Sequence, residues 1–199
     1  MKEKIKKIKL RKIQTIILIL TVISLILGIL YISILSKENK ALVSSSLANF
    51  FTNIKKANFN YNKALFNSLT NNIVVDLTIW LLGISIIGIP IVIFIIITKS
   101  FILGFSLSSI IFNYGIKGIL LAIVYIIPHI LSLFIILILS YYSIDFSLML
   151  FRLLFKRKDY NKKIIVKRYL KILIVSTIFL ITSSVLEVYV IPKLLRLII

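Results

Sequence analysis

The stretch IVVDLTIWLLGISIIGIPIVIFIII, residues 73–97, decides the fold class, because its 25 residues carry a single charge, that of Asp76. As a helix rising about 1.5 Å per residue, it would be about 37 Å long. A bilayer core about 30 Å thick needs about twenty apolar residues to cross it. Comparable apolar runs occupy residues 15–35, 116–142 and 172–191. The sequence therefore predicts an all-α fold, a polytopic bundle of transmembrane helices.

The composition is that of a chain that lies in lipid. Of its 199 residues, 60% are hydrophobic, and the mean hydropathy of +1.09 is too high for a soluble surface. The length predicts one integral membrane domain, residues 1–199. Because the sequence contains no cysteine, disulfides, thiolate metal sites and cysteine nucleophiles are excluded.

The 25 Lys and Arg residues give a formal net charge of +19 and are unevenly distributed. Seven fall within residues 2–12 and nine within residues 152–171, and both clusters adjoin apolar runs. This is the positive-inside pattern, in which cytoplasmic loops are basic and face anionic lipid. It predicts the lipid bilayer as a partner and no nucleic acid, since no aromatic-interleaved basic motif accompanies the charge.

The short apolar piece at residues 101–112 decides the number of spans. It is brief enough to be re-entrant, but if it crosses, seventeen Lys and Arg residues are cytoplasmic and eight are outside. That imbalance favours about five spans in the cell membrane, with the N-terminus cytoplasmic and the C-terminus outside. The predicted spans are about 14–35, 73–97, 100–113, 116–142 and 171–191, with an outer segment at 36–72 and a cytoplasmic basic loop at 152–170.

The outer segment 36–72 is the largest stretch predicted to lie outside the membrane. Leu47, Phe50, Phe51 and Ile54 recur at the spacing of one helical face, and a second stripe leads into the next span. Short amphipathic helices are therefore expected here. Two interpretations remain open, a partner-binding surface or a hairpin that covers the bundle. The candidate partner-binding residues are Phe50, Phe51, Lys55 and Lys56.

Glycines and prolines in the spans predict close packing and kinks. Glycine allows two helices to approach closely, and proline removes one helical hydrogen bond. These features either shape the bundle or open a translocation path. The candidate residues are Gly83, Gly88, Pro90, Gly104, Gly115, Gly118 and Pro128.

Three ionisable residues are candidates for a polar site, because charges within spans are usually functional. Asp76 and Glu187 are predicted near the outer face, where solvation at a helix end would also explain them. His129 lies in the middle of the fourth span and is either a proton-relay group or a neutral side chain bonded to a freed carbonyl. The sequence offers no catalytic residue, metal ligand set or cofactor motif, so we expect no enzyme.

A series of short motifs has a characteristic order and spacing: Trp80-Leu81-Leu82-Gly83, Gly88-Ile89-Pro90, Gly104-Phe105, Gly115-Ile116-Lys117-Gly118, Pro128-His129, and Glu187 with Pro192. In this respect nearly the whole chain resembles the stage II sporulation protein M family. Members of that family often carry a carboxylate shortly after the fourth-span proline. Here residues 131–134 are Leu, Ser, Leu and Phe, so a role of that carboxylate does not transfer.

The resemblance implies a role in endospore formation, at the sporulation septum or the engulfing membrane. Family members are regarded as membrane anchors that recruit two peptidoglycan-degrading partners, sporulation proteins D and P of the same stage. The implied function is thus a non-enzymatic scaffold for forespore engulfment. The alternative is a small permease-like component, with Pro90, Pro128 and His129 along a polar path. A continuous polar cavity that reaches His129 would favour this alternative.

Overall fold

A computed structural model of the protein describes residues 2–56, 60–155 and 162–198, and its long elements are helices. No β-strand occurs within these ranges, and the all-α class predicted from the sequence is confirmed. The helices are α1 (Lys2–Ile34), α2 (Lys37–Lys55), α3 (Tyr61–Leu82), α4 (Gly88–Phe155), α5 (Lys162–Val185) and α6 (Ile191–Ile198), and a π-helical turn at Leu186–Val190 links α5 to α6.

Helix α4 is a hairpin of two helices that reverses at Gly115. The φ of 57° and ψ of −131° at Gly115 lie outside the helical region, and a residue without a Cβ adopts them at little cost. A Cβ built on Gly118 would lie 2.7 Å from the carbonyl oxygen of Ile110. In a straight helix, these two residues would be about 12 Å apart. We therefore divide the helix into α4a, residues 88–114, and α4b, residues 116–155.

Among the described residues, four helical stretches are long and apolar enough to cross a membrane: Ile13–Ile34, Tyr61–Leu82, Gly88–Leu153 and Lys163–Ile198. The third is the α4 hairpin, and each of its two helices exceeds the length of about twenty residues that a crossing needs. The bundle therefore contains five long apolar helices, α1, α3, α4a, α4b and α5. Part of the predicted basic loop at 152–170, residues 156–161, lies outside the described residues.

The predicted span at 73–97 is wrong as a single helix, because a tight turn at residues 83–87 divides it into the end of α3 and the start of α4a. In this turn, amide groups bond to carbonyls three residues back, from Ile84 to Leu81 at 3.1 Å and from Gly88 to Ser85 at 3.2 Å. Three of the five turn residues are isoleucines and none is charged, so a hydropathy profile does not show the break.

This shift changes the neighbouring boundaries as well. The second amphipathic stripe of the outer segment is the first half of α3, rather than a separate short helix. The predicted span at 100–113 is the second half of α4a, which begins at residue 88 and is long enough to cross.

Contacts between side chains give the directions of the helices. Helix α1 runs parallel to α4a, since Ile17 shares a core cluster with Val92, and the Tyr31 ring lies 5.3 Å from that of Phe101. Helix α3 runs parallel to α4b, because Asn72 bonds to Ser132 and the Ile79 carbonyl accepts from Ser143. Helix α5 runs antiparallel to α3, as the hydrogen bonds described below show.

Helix α2 lies across the end of the bundle that contains the Gly115 turn. Phe51 and Ile54 on α2 are buried in a cluster with Ile110, Leu121 and Leu195, and the Phe51 ring lies 4.9 Å from the Tyr114 ring. Arg196 on α6 donates from Nε to the Ile54 carbonyl at 3.1 Å, satisfying a carbonyl in the last turn of α2. One face of α2 is therefore committed to packing.

Candidate functional site

Three polar side chains follow one face of α3 at intervals of four residues, Ser68, Asn72 and Asp76. Each bonds to α5 or to the π-helical turn. Ser68 donates to Glu187 Oε2 at 2.6 Å, Asn72 donates to Ser184 Oγ at 2.8 Å, and Thr177 donates to Asp76 Oδ2 at 2.7 Å. Because lipid offers no competing partner, such bonds help to hold helices together.

The Asp76 carboxyl is completely buried in the bundle, with an exposed fraction of 0%. Its Oδ2 atom accepts from Thr177, while Oδ1 has no hydrogen-bond partner in the described part of the chain. Solvation at a helix end, one of the two explanations from the sequence, is therefore wrong for Asp76. The error follows from the position of α3, which the hydropathy profile places too far along the chain.

Glu187 lies in the π-helical turn and faces a polar cavity of about 260 Å³. Short π-helical segments are rare and often occur at functional sites, because the extra residue redirects a side chain. The walls of this cavity come from α3, α4a, α4b and the turn, and its lining includes Ser68, Asn71, Asn72, Lys99, Ile102, Ser106, Tyr125, His129, Ser132 and Glu187. We call it the polar cavity.

His129 contributes to the wall of the polar cavity from α4b. Its ring lies 4.2 Å from the Tyr125 ring in an edge-on arrangement. The backbone dihedrals of α4b remain helical through Pro128, whose own carbonyl accepts from Ser183 at 2.7 Å. The cavity places His129 beside Lys99 and Glu187, two charged residues from other elements.

A second cavity of about 430 Å³ lies under α2, between that helix and the hairpin of α4a and α4b. Its lining is mostly apolar and includes Leu42, Val43, Leu47, Phe50, Phe105, Ser106, Ser109, Ile110 and Tyr125. We call it the outer groove. Ser106 and Tyr125 line both the outer groove and the polar cavity, so the two adjoin.

Gly104 lies at a backbone contact between α1 and α4a, and Gly28 lies at the same crossing. A Cβ on Gly104 would overlap the carbonyl of Leu25, and one on Gly28 would overlap the carbonyl of Phe101. Gly83 faces the side chains of Tyr169 and Ser143 at the far end of the bundle from α2.

Two residues predicted to shape the second span lie elsewhere. Gly88 is at the end of the tight turn, where a Cβ would overlap the Leu82 carbonyl. Pro90 occupies the first turn of α4a, where its missing amide has no helical acceptor to lose. The predicted mid-span kink at Pro90 is therefore wrong.

The four candidate partner-binding residues do not share one surface. Phe51 is 4% exposed and packs into the bundle, so it holds α2 in place and offers no surface to a partner. Phe50 is 37% exposed and lines the outer groove. Lys55 and Lys56 are exposed at the end of α2.

Sequence reasoning missed Lys99, Asn72 and Ser68 as site residues. The seventeen Lys and Arg residues counted as cytoplasmic from the sequence include Lys99, because it follows the predicted span at 73–97. In the structure Lys99 lies within α4a, about 16 Å along the helix from Gly88. The spacing of Ser68, Asn72 and Asp76 was a usable signal, since polar residues at i, i+4 and i+8 share a helical face. It requires knowing that α3 begins at Tyr61.

The arrangement is suited to binding by charge and hydrogen bonds. Within the described ranges, no group of three or more His, Cys, Asp or Glu side chains is placed to hold a metal ion. A cation, a carboxylate and an imidazole instead face one cavity inside the apolar bundle. Intramembrane groups of this kind are functional candidates, because lipid makes them costly to keep.

Comparison with known proteins gives one match. No curated protein and no solved structure matches the chain. The family model for stage II sporulation protein M matches residues 17–192, a range that includes most of the apolar part of α1 and all of α2, α3, α4a, α4b and α5. The chain is thus a sporulation-related membrane protein and belongs to the stage II sporulation protein M family.

Proposed function

We propose that this protein is a non-enzymatic scaffold that recruits peptidoglycan-degrading partners, stage II sporulation proteins D and P, to the engulfing membrane. The observation that carries this proposal is the position of α2. It is attached to one end of the bundle by Phe51 and Ile54, and its opposite face remains exposed. If the N-terminus is cytoplasmic, this end of the bundle faces the cell wall. The partners then supply the hydrolytic chemistry.

The docking surface follows from the helical geometry of α2. Residues about half a turn away from Phe51 and Ile54 point away from the bundle. They include Ser45, Asn49 and Lys56, all of which are exposed. These side chains are polar and small or flexible, as expected for a contact that forms and separates in water.

The test is the double variant Asn49→Trp, Lys56→Glu in sporulating cells. We expect the partners to lose their localisation and engulfment to stop, while the amount of this protein in the membrane is unchanged. Both substitutions lie on the exposed face of α2, so the packing of Phe51 is retained. Fluorescent fusions of the partners, a membrane dye and an immunoblot give the three measurements.

The matched control is Lys193→Glu, which makes the same charge change on an exposed residue of α6, near α2. It should leave recruitment and engulfment normal. Partners that remain localised in the α2 double variant, with engulfment intact, would contradict docking on α2. Equal loss of recruitment in the Lys193 variant would assign the effect to surface charge in general.

A permease-like component is the second candidate, and the polar cavity favours it. The cavity reaches His129 and adjoins the outer groove. Its other end meets a closely packed core, in which Ile79, Leu139 and Leu180 are each 0% exposed. A path through the bundle would therefore need a second conformation, as alternating access requires.

The His129→Ala variant separates the two candidates. A scaffold needs the helices and not a titratable group, so we expect normal recruitment of the partners and normal engulfment. The measurement is the same pair of assays, made at equal amounts of membrane protein. Loss of engulfment while the partners remain recruited would replace the scaffold by a transport function.

A further inference from the structure

The polar cavity contains two opposite charges that are held apart. The Lys99 ammonium and the Glu187 carboxylate both line it, from α4a and from the π-helical turn. Within the described part of the chain they form no direct ion pair. Instead, Glu187 accepts a hydrogen bond from Ser68 at 2.6 Å, which fixes one carboxylate oxygen. Glu187 acts on Lys99 electrostatically across the cavity, but a directly bound partner would compensate each of these half-buried charges more fully.

We propose that the polar cavity binds the zwitterionic head of an aminophospholipid such as phosphatidylethanolamine. The phosphate lies against Lys99 and the primary ammonium lies against Glu187. The complex is then neutral overall, and each protein charge gains a partner of opposite sign with charge-assisted hydrogen bonds. The Asn72 side chain is held by hydrogen bonds to Ser184 and Ser132, so the wall of the cavity formed by α3 is preorganised.

Other classes of ligand fit the charges less well. A metal cation or an organic cation would be repelled by Lys99, and a simple anion by Glu187. Either would match one of these two half-buried protein charges and be repelled by the other. A ligand with both charges is the class that satisfies both groups at once.

The same charge pattern would also accept a free amino acid or phosphoethanolamine, and the surroundings of the cavity favour the lipid. Asn71 and Ile102 line the cavity and are exposed on the surface of the bundle, and Ile102 is 52% exposed. The cavity therefore opens between α3 and α4a towards the bilayer. The adjoining outer groove is apolar and, at about 430 Å³, has room for part of an acyl chain.

A buried hydroxyl supports this assignment. Ser109 is 2% exposed and faces the outer groove, and its Oγ atom has no hydrogen-bond partner in the described residues. A buried polar atom without a partner is unusual. The ester groups between a lipid head and its chains are hydrogen-bond acceptors that can satisfy it. This proposal is independent of the scaffold function.

The test is lipid retention by the full-length protein, purified, delipidated and reloaded with one lipid at a time, and measured by native mass spectrometry. We expect phosphatidylethanolamine to be retained in preference to phosphatidylglycerol, which lacks the ammonium. It should also be preferred to phosphatidylcholine, whose quaternary ammonium cannot donate to Glu187. Lys99→Met and Glu187→Gln should each weaken retention more than about tenfold, since hydrogen bonds to charged groups contribute about 1.5–3 kcal/mol.

The matched control is Lys163→Met, which removes an exposed positive charge from the first turn of α5, away from the cavity. It should retain phosphatidylethanolamine as the unaltered protein does. Equal retention of the three lipids by the unaltered protein would overturn the proposal, whatever the variants do. Equal losses in the Lys99 and Lys163 variants would also overturn it, because the attraction would then be to surface charge.

The source of the zwitterion is tested by blocking the groove and by using the head group alone. Val43→Trp fills the outer groove from α2 without touching the polar cavity. We expect this variant to lose retention of the lipid. Glycerophosphoethanolamine, which has no acyl chains, should compete only weakly with the lipid. Strong binding of this soluble compound, with lipid retention unchanged in Val43→Trp, would refute the lipid assignment.

Discussion

Gly28→Leu and Gly104→Leu are each expected to remove most of the folded protein from the membrane. The two glycines face each other's helices where α1 crosses α4a. A Cβ on either one would overlap a backbone carbonyl of the partner helix, Phe101 for Gly28 and Leu25 for Gly104. Backbone atoms cannot turn aside as side chains do, so the helices would have to separate along their length.

The expected cost follows from overpacking. Extra atoms in a close-packed core cost about 1–3 kcal/mol and occasionally more, and a backbone clash belongs at the upper end. For a chain of this size, about 3 kcal/mol lowers the melting temperature by roughly 6–12 °C. The packing lost includes Ser24 and Ser100, which are 5% and 0% exposed near this crossing.

The measurements are the amount of protein in the membrane and the thermal unfolding of the purified protein in detergent. Ser33→Leu is the matched control, because Ser33 is on α1 and exposed, five residues beyond Gly28. It adds a larger side chain to the same helix without meeting α4a. Normal abundance and an unchanged melting temperature in both glycine variants would show that the crossing tolerates separation.

Gly28 also shows what composition alone does not reveal. The sequence pointed to Gly104 as a small residue in a span, but the partner of a small residue is set by how two helices cross. In this crossing α1 and α4a run parallel, the Cβ position of Gly28 meets the turn from Phe101 to Phe105, and that of Gly104 meets the turn from Leu25 to Ile29. The pairing of Gly28 with Gly104 can therefore be recognised only when the positions of both α1 and α4a are known.

The number of long apolar helices could be predicted from hydropathy, but the boundaries of α3 could not. The 25 residues at 73–97 look like one apolar run, because their only charge is Asp76 and the break at 83–87 consists of Gly83, Ser85 and three isoleucines. The turn depends on hydrogen bonds and on the close approach of Gly88 to Leu82. A turn made mostly of isoleucines cannot be found by a method that locates turns from their polar residues.

That one boundary decided how well the site could be predicted. With α3 placed too late, Asp76 was assigned to a helix end and Lys99 was counted as cytoplasmic. With α3 at Tyr61–Leu82, Asp76 is completely buried, and Lys99 lines the polar cavity together with Glu187. His129 lies within α4b, but its neighbours in the polar cavity come from three other segments, and no spacing along the chain encodes that.

The role of the α2 surface could also be predicted only in part from the sequence. The apolar stripe of Leu47, Phe51 and Ile54 correctly predicted a helix, but it was equally compatible with a partner-binding surface. In the structure, Phe51 and Ile54 are buried against α4a, α4b and α6. An amphipathic stripe shows that a face will be covered, but it does not say by what.

The membrane topology is the last prediction, and its boundaries now come from the observed helices. We propose that α1 leaves the cytoplasm, α3 returns, α4a leaves, α4b returns and α5 leaves. The turn at 83–87 is then cytoplasmic and the Gly115 turn is outside. Placing Lys99 within the bundle leaves sixteen Lys and Arg residues on the cytoplasmic side and eight outside, still a clear positive-inside bias.

Single cysteines test this arrangement cleanly, because the natural chain has none. We expect Lys117→Cys and Leu197→Cys to react with a membrane-impermeant thiol reagent in intact cells. Ser85→Cys and Lys163→Cys should react only after the membrane is permeabilised. All four positions are exposed in the structure, so an unreactive cysteine reports its side of the membrane and not burial in the protein.

Labelling of position 85 or 163 in intact cells would reverse the proposed orientation, and protection of position 117 would mean that the α4 hairpin does not cross.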